Sequence, residues 1–483
     1  MAPGLGGSAV LANAYHGKRV LVMGLGLFGG GVGAARFFAE AGAKVTVTDK
    51  RHPGDLKPSL DALSDLNIHY VLGMHSPDDF RAADLVVVNP GVPIDSPLVT
   101  MARGAGAQIE REINLLFKLT PHHPKLGVTG SNGKSTTTAL LGEMVKLADS
   151  RALVGGNIGG SLLAETRGLE TGVPLVLELS SFMLEGMAEM RESPQVAVVT
   201  NLSPNHLDRH RTVENYYEAK KEILKHQGPE DTAVLNAEDP ELVNWVSLVK
   251  GRLIWVSTSF EPEGDAAFVE DDRMIVRIGG EEEVVGIVSE LRLPGKHNLF
   301  NALAASAAAR AHGVQAWQIA EALAAFCGLP HRLELVARSA DNVAFYNDSI
   351  ATTPESAICA LNSFQGAVTL IAGGYDKGSS FEQLGAAIVR KARRVVLLGA
   401  TASRIEESIT RASRDGGRLP QIQRARNLVD AARIAHDGAA PGEIVLLSPA
   451  CASFDQFRNF QERGELFTHL ARAFAASRGA RLG

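Results

Sequence analysis

The chain has 483 residues, 45% of them hydrophobic and 21% charged, with a net charge of −6 and a pI near 6.2. That length exceeds one ordinary hydrophobic core and predicts two to four domains, and the slightly acidic balance excludes a global basic field for nucleic acid. Cys327, Cys359 and Cys451 lie far apart and are odd in number, which excludes a disulfide framework and a zinc knuckle. No apolar run of about 18 residues is present to insert in a membrane, and the start of the chain lacks the basic segment of a secretory leader. A cytoplasmic, enzyme-sized protein is expected, with its first 15 residues a loose lead-in.

Short apolar runs alternate with helical patterns from Lys18 onward, which predicts parallel α/β architecture. KRVLVMG (18–24) and AKVTVTD (43–49) read as strands around a helix over 30–40, and HYVLG and ADLVVVNPG add further strands. Residues 1–112 are therefore expected to form a Rossmann-like domain. Its first turn, GLGLFG, has the GxGxxG spacing, and Asp49 closes the second strand about 20 residues on. Such a turn accepts any pyrophosphate, that of NAD or of a UDP-sugar, and also occurs as a plain tight turn.

A second domain, 113–328, opens with the strand PKLGVTG and a helix from Lys134 to about Leu147. PLVLELSS (174–181) and VAVVTNL (196–202) read as buried parallel strands, and RLIWVS, RMIVRIG and EEVVGIV as a small antiparallel patch within 251–294. The alanine-rich helix NLFNALAASAAARAHG closes this domain. In the third, 329–483, VAFYNDS, AVTLIAGG, RRVVLLG and EIVLLSP read as four strands separated by helices, again Rossmann-like. The predicted fold is α/β in three domains: Rossmann-like, P-loop-type and Rossmann-like.

LGVTGSNGKSTTT carries the chemistry most directly. A strict phosphate-binding loop of the Walker type places its first glycine four residues ahead of Gly-Lys-Ser, where this chain has Val128, so a shortened variant is expected. Phosphate oxygens need convergent backbone N–H groups, a helix N-terminus and a cation. Gly130, Ser131, Asn132 and Gly133 supply the backbone, Lys134 the charge and Ser135 a hydroxyl for Mg²⁺. A ligand-free glycine turn is the bland alternative, but the strand, loop, Lys-Ser-Thr and helix in register favour phosphate. Glu178 and His206 each follow a predicted strand, at the edge where open α/β sheets bind ligands, and so are candidates for Mg²⁺. Lys220, beside another lysine on a helix, carries no reading of its own.

LGVTGSNGKSTTT, GGNIGGS, LELSSF, the His206 segment and YYEAKKEIL together resemble the ATP-dependent Mur ligases, three-domain amide-bond-forming enzymes of peptidoglycan synthesis. GKHNLFNALAA, GLPHRLE, YNDS and SPACASFDQFRNFQERG are most similar to the branch that adds D-glutamate to UDP-N-acetylmuramoyl-L-alanine, and the likeness runs from about Lys18 to the end of the chain. The resemblance implies that Gly130, Ser131, Asn132, Gly133, Lys134, Ser135 and Thr136 cradle ATP, with Asn298, Asn301, Arg332 and Asp348 as further ATP contacts. Lys134, Glu178, His206 and Lys220 are the catalytic residues it implies. Two Mg²⁺ sites follow from it, one on Ser135 and Glu178, the other on His206 and a Lys220 carbamylated by CO₂. Leu27, Phe28, Asp49, Lys50, Asn157 and Ser180 match positions around the UDP-sugar, and Thr352, Lys377, Ser453 and Phe460 the pocket for glutamate. A monomer is expected, with domain closure shielding an acyl-phosphate intermediate from water.

Four positions depart from the family pattern. Phe28 replaces a small polar residue at the uracil-binding turn, Asn205 the acid of an Asp-His pair, and Met183 a glutamine. Ile350 replaces a lysine after Asp348-Ser349, which removes a cation facing a dianionic substrate and keeps L-glutamate open as the added amino acid. Two readings from other classes remain at this point. A nicotinamide dehydrogenase would rest on GLGLFG and Asp49 alone, and a non-catalytic nucleotide-sugar sensor would leave Lys134, Glu178, His206 and Lys220 idle.

Overall fold

The computed structural model describes residues 14–27, 29–93, 95–376, 378–414 and 418–480; Phe28, Lys377 and the first 13 residues lie outside the described residues. The chain packs as two compact units, Met1–Glu290 with Phe300–Ala324, and Leu291–Leu299 with Ala325–Gly483.

Among the described residues, the first unit holds two sheets. One contains β1 (Arg19–Met23), β2 (Lys44–Asp49), β3 (His69–Leu72), β4 (Leu85–Val88) and β5 (Gln108–Arg111), all parallel in the order β3-β2-β1-β4-β5. The other contains β6 (Lys125–Thr129), β7 (Leu153–Gly156), β8 (Leu175–Glu178), β9 (Val196–Val199), β10 (Thr232–Asn236), β11 (Arg252–Val256), β12 (Ala266–Glu270), β13 (Arg273–Ile278) and β14 (Glu281–Ile287). Its order is β14-β13-β12-β11-β10-β9-β6-β8-β7. The central strand β6 is flanked by β8 and β9, the arrangement that opens a crevice at the carboxyl ends of strands. LVVV, LVLE and VAVV are buried at every residue, as parallel strands covered on both faces must be.

Among the described residues, the second unit has one sheet, built from β15 (Glu334–Arg338), β16 (Ala344–Asn347), β17 (Val368–Ala372), β18 (Ala392–Leu397), β19 (Gln421–Arg424) and β20 (Ile444–Leu447) in the order β15-β16-β20-β17-β18-β19. Among the described residues, β15 alone of these strands runs antiparallel to its neighbour.

The helix over 30–40 falls at Gly30–Glu40 and the loop helix at Lys134–Ala148. The antiparallel patch differs in composition. RLIWV pairs parallel with β10, and the antiparallel ribbon is β12-β13-β14. The third sheet has six strands where four were expected. The two extra are edge strands, and the QIQR of β19 has no fully buried residue, so it carries no apolar run to find.

The first two sheets are joined with almost no loop, since β5 ends at Arg111 and the helix Glu112–Leu119 begins at once. Burial pushes the Glu112 carboxyl up to about 7, and its Oε1 accepts from the Ser161 hydroxyl at 2.7 Å. Because the folded value lies above the unfolded one, the stability is full below about pH 4.5 and is lost as pH rises through 7. The loss is on the order of 3 kcal/mol. Glu112→Gln should remove this share, so thermal melts at about pH 5 and pH 8 will differ less for the variant than for the parent. An equal pH dependence in both would contradict the assignment.

Candidate active site

Val128 sits inside β6, where it lies opposite Glu178 and Val198, and is fully buried. The strand therefore continues through the position where the longer loop would begin, and the turn starts at Gly130. That residue has φ 145°, and a Cβ there would lie 2.0 Å from Thr200 Oγ1. Gly133, at φ 83°, caps the helix Lys134–Ala148, and a Cβ there would meet Asn301 Oδ1 at 2.3 Å. Only glycine fits both constraints. The turn delivers backbone to the N-terminal end of a 15-residue helix, an anion-binding geometry.

A second segment, at the end of β9, braces this loop. Asn132 N–H donates to Asn201 Oδ1 (2.9 Å), while the Thr200 hydroxyl and the Asn201 amide donate to the Asn132 carbonyl (2.6 and 3.0 Å). Ser131 N–H donates to the Asn201 carbonyl, and its hydroxyl donates to the Ser203 carbonyl and lies 3.1 Å from the Tyr216 hydroxyl. Thr200, Asn201, Ser203 and Tyr216 were not singled out from the sequence. The available signal was the polar Thr-Asn pair closing the apolar VAVV strand.

Lys134 donates to the carbonyls of Gly130 (3.0 Å) and Ser131 (2.9 Å). Lys220 is 1% exposed, and its Nζ donates to the Gly130 carbonyl (2.8 Å) and the Thr129 hydroxyl (3.2 Å) and stands 4.8 Å from the centre of the Tyr216 ring. Burial, reinforced by the charge of Lys134 and opposed by Glu178, pushes its ammonium well below the ordinary lysine range. Glu178 is also 1% exposed. Its Oε1 accepts from the Asn157 amide at 2.8 Å, and its Oε2 is buried with no hydrogen-bond partner. A buried carboxylate oxygen without a partner is costly unless something occupies it, and a cation is the fitting occupant.

His206 is exposed, has φ 53° and stands immediately before the helix Leu207–His210 as its N-cap. The Asn205 side-chain oxygen accepts from its N–H (2.8 Å), so Asn205 supports this left-handed residue through the main chain. The imidazole ring of His206 lies 5.1 Å from Phe182 and 6.4 Å from Tyr216. Met183 is buried, and its N–H donates to Ser180 Oγ, which caps the helix Ser181–Met187. Among the described residues, no group of three or more His, Cys, Asp and Glu forms a metal cage. Mg²⁺ does not require one, being held by one or two carboxylates plus phosphates.

Leu27, Asp49 and Lys50 form a separate cluster at the carboxyl ends of β1 and β2. Both Asp49 oxygens accept backbone N–H groups, from Gly26 (3.2 Å) and Arg51 (2.9 Å), so the carboxylate clamps the glycine turn. Leu27 and Lys50 are exposed there. This turn meets the Asn157 segment closely, with a Cβ at Gly29 falling 3.1 Å from Gly160 Cα.

In the second unit, Asp348 is buried between the Ser448 hydroxyl (2.7 Å) and the Leu333 N–H (3.2 Å), and burial pushes its carboxyl up to about 7. Arg332 has a buried Nε without a partner, and the Asn298 amide donates to the Pro294 carbonyl. Ser453 is buried, Phe460 begins the long helix Phe460–Ala480, and the N–H of Thr352 donates to the Ile350 carbonyl. Arg463, to which no motif assigns a role in the sequence, ties these segments together. It is 2% exposed and donates to the Ser349 hydroxyl and carbonyl and to the Cys451 carbonyl, while Ser349 Oγ donates to the Phe460 carbonyl.

Three family models match in chain order: the N-terminal domain of MurD-like Mur ligases over 18–110, the Mur ligase middle domain over 128–309, and the Mur ligase glutamate ligase domain over 331–451. A Roseiflexus protein named UDP-N-acetylmuramoylalanine–D-glutamate ligase is 44% identical over 480 residues, covering 95% of this chain and 99% of its own. The chain belongs to the Mur ligase family. A Symbiobacterium thermophilum protein of the same name is 41% identical, covering 95% of this Mur ligase and 98% of its own length. Solved structures of Thermotoga maritima UDP-N-acetylmuramate-alanine ligase MurC (TM-score 0.60, 20% identity, 95% and 100% of the two chains) and Acinetobacter baumannii MurF (0.58, 16%, 98% and 99%) share the fold.

Proposed function

We propose that this Mur ligase joins D-glutamate to UDP-N-acetylmuramoyl-L-alanine at the expense of ATP, as a single chain acting in the cytoplasm. Residues 1–112, 113–328 and 329–483 would serve the UDP-sugar, ATP and glutamate. The name shared by relatives that span nearly the whole chain supports the substrates, and the carbonyl-and-amide-braced loop supports ATP. The observation that carries the catalytic reading is the buried, partnerless Glu178 Oε2. Among the described residues, no helix is long and apolar enough to cross a membrane.

A carboxylate is a poor acyl donor because its leaving group would be oxide. The alanine carboxylate of the acceptor therefore takes the γ-phosphoryl group of ATP, giving an acyl phosphate and ADP. The glutamate amine then attacks the carbonyl, and phosphate leaves from the tetrahedral intermediate. Two anions must approach in the first step. Lys134 would move from the loop carbonyls onto the transferring phosphoryl oxygens and screen that repulsion. Ser135 and Glu178 would hold one Mg²⁺, and His206 with a carbamylated Lys220 a second; bound there, the metals supply further charge neutralisation. The residues fit this role, since Glu178 has an oxygen without a hydrogen-bond partner and burial shifts Lys220 towards the neutral amine that reacts with CO₂.

In the same reading, Asn298, Asn301, Arg332 and Asp348 contact ATP, and Leu27, Phe28, Asp49, Lys50, Asn157 and Ser180 the UDP-sugar. Thr352, Lys377, Ser453 and Phe460 would receive glutamate, with Arg463 tying together the segments of Thr352, Ser453 and Phe460. A nicotinamide role would leave Lys134, Glu178, His206 and Lys220 idle. The test is ADP formation that depends on the acceptor, Mg²⁺ and D-glutamate together.

A further inference from the structure

Asn157 reads from the resemblance as a residue at the UDP-sugar, but the structure gives its side chain another contact. Its amide donates to Glu178 Oε1 at 2.8 Å, and its backbone N–H donates to the Glu178 carbonyl at 2.9 Å. Both ends of Glu178 are thus gripped by one residue. Asn157 itself is exposed, on the segment after β7, and β7 pairs with β8 so that Gly156 lies opposite Glu178. A carboxylate on a Glu side chain has two equivalent oxygens and a broad, weakly restrained terminal torsion. Donation to Oε1 stops that rotation and leaves Oε2 buried and partnerless. Ligand carboxylates held by outer hydrogen bonds bind metal more tightly than mobile ones.

We propose that Asn157 is a positioning residue for the Mg²⁺ ligand Glu178, fixing the plane in which its unpartnered oxygen is offered to the cation. The inference rests on the reading that Glu178 holds Mg²⁺. Asn157 is exposed, so its truncation leaves the core intact, and a thermal melt of each variant verifies this.

Mn²⁺ binding to the enzyme–ADP complex, followed by electron paramagnetic resonance, tests the proposal without turnover, using the parent, Asn157→Ala, Glu178→Gln and the double variant. The expected result is a 10- to 100-fold weaker Mn²⁺ affinity in Asn157→Ala, with metal-free ADP affinity unchanged. Adding Asn157→Ala to Glu178→Gln should then produce little further loss, because the carboxylate it orients is gone. Unchanged Mn²⁺ affinity in Asn157→Ala, with Glu178→Gln weakened, overturns the inference and leaves the catalytic reading standing. Unchanged affinity in Glu178→Gln overturns that reading, and the inference with it. Additive losses in the double variant also overturn the inference, since they would make Asn157 act independently of Glu178.

Discussion

Lys134→Met is expected to lower the turnover of ATP by about 10³-fold or more, with the melting temperature nearly unchanged. Lys134 spans the turn of the loop, donating to Gly130 and Ser131 carbonyls, and methionine keeps its length and apolar stem but removes the only charge it brings. The braces from Thr200 and Asn201 do not involve that ammonium, so the loop should persist. What disappears is the cation proposed for the transferring phosphoryl group, and cations placed there contribute about 10³–10⁵ in comparable phosphoryl transfers. Steady-state ADP release with saturating substrates measures it. A loss below about tenfold would show that Lys134 is a loop brace and not a participant.

Under the proposed carbamylation, Lys220→Gln should be nearly as damaging, about 10² to 10³ in turnover, because it removes the anion that would hold a metal and forfeits several kcal/mol of charge stabilisation. Its side chain is buried against Tyr216 and the Gly130 carbonyl, in surroundings that favour an uncharged amine. A neutral amine adds CO₂ and releases a proton, turning a would-be cation beside Lys134 into an anion. Two readouts separate this from a packing defect. Parent enzyme equilibrated with ¹³C-labelled CO₂ should show a carbamate resonance that is absent in Lys220→Gln, and stripping CO₂ should reduce parent activity reversibly. Activity indifferent to CO₂, with no carbamate resonance, would mean that Lys220 works as an amine or only as a scaffold.

Strands such as VLVM, LVVV and VTLIA were legible because a parallel strand covered on both faces has to be apolar throughout. Edge strands were not. β19 is QIQR and β7 is LVGG, whose residues answer to one neighbour and to solvent, so no run or alternation marks them. The site divides the same way. Gly130, Gly133 and Lys134 lie in one continuous segment whose spacing carries its own mechanism. The contacts that hold that segment come from residues about 70 to 90 positions away, such as Asn201 and Tyr216, and only folding brings them in. Lys220 was opaque for a related reason: a lysine on a helix reads as solvated, and its burial is a property of β6 and the loop packed over it. Arg463 looks like a surface charge in FQERG, yet it is buried because three backbone and side-chain oxygens converge on it.

Ile350 is the position where the reading of the amino acid matters most. Its N–H donates to the His331 carbonyl and its side chain is half-buried, so the backbone is anchored while the cation of the family pattern is missing. In the proposed reading, recognition of the glutamate carboxylates would then fall to the remaining groups of the second unit, and enantiomer choice would follow from where those carboxylates are pinned.

The decisive measurement is ADP release with UDP-N-acetylmuramoyl-L-alanine, ATP and Mg²⁺, run side by side with D-glutamate and with L-glutamate. Turnover with D-glutamate and none with L-glutamate is the predicted result, and turnover with L-glutamate alone would contradict it.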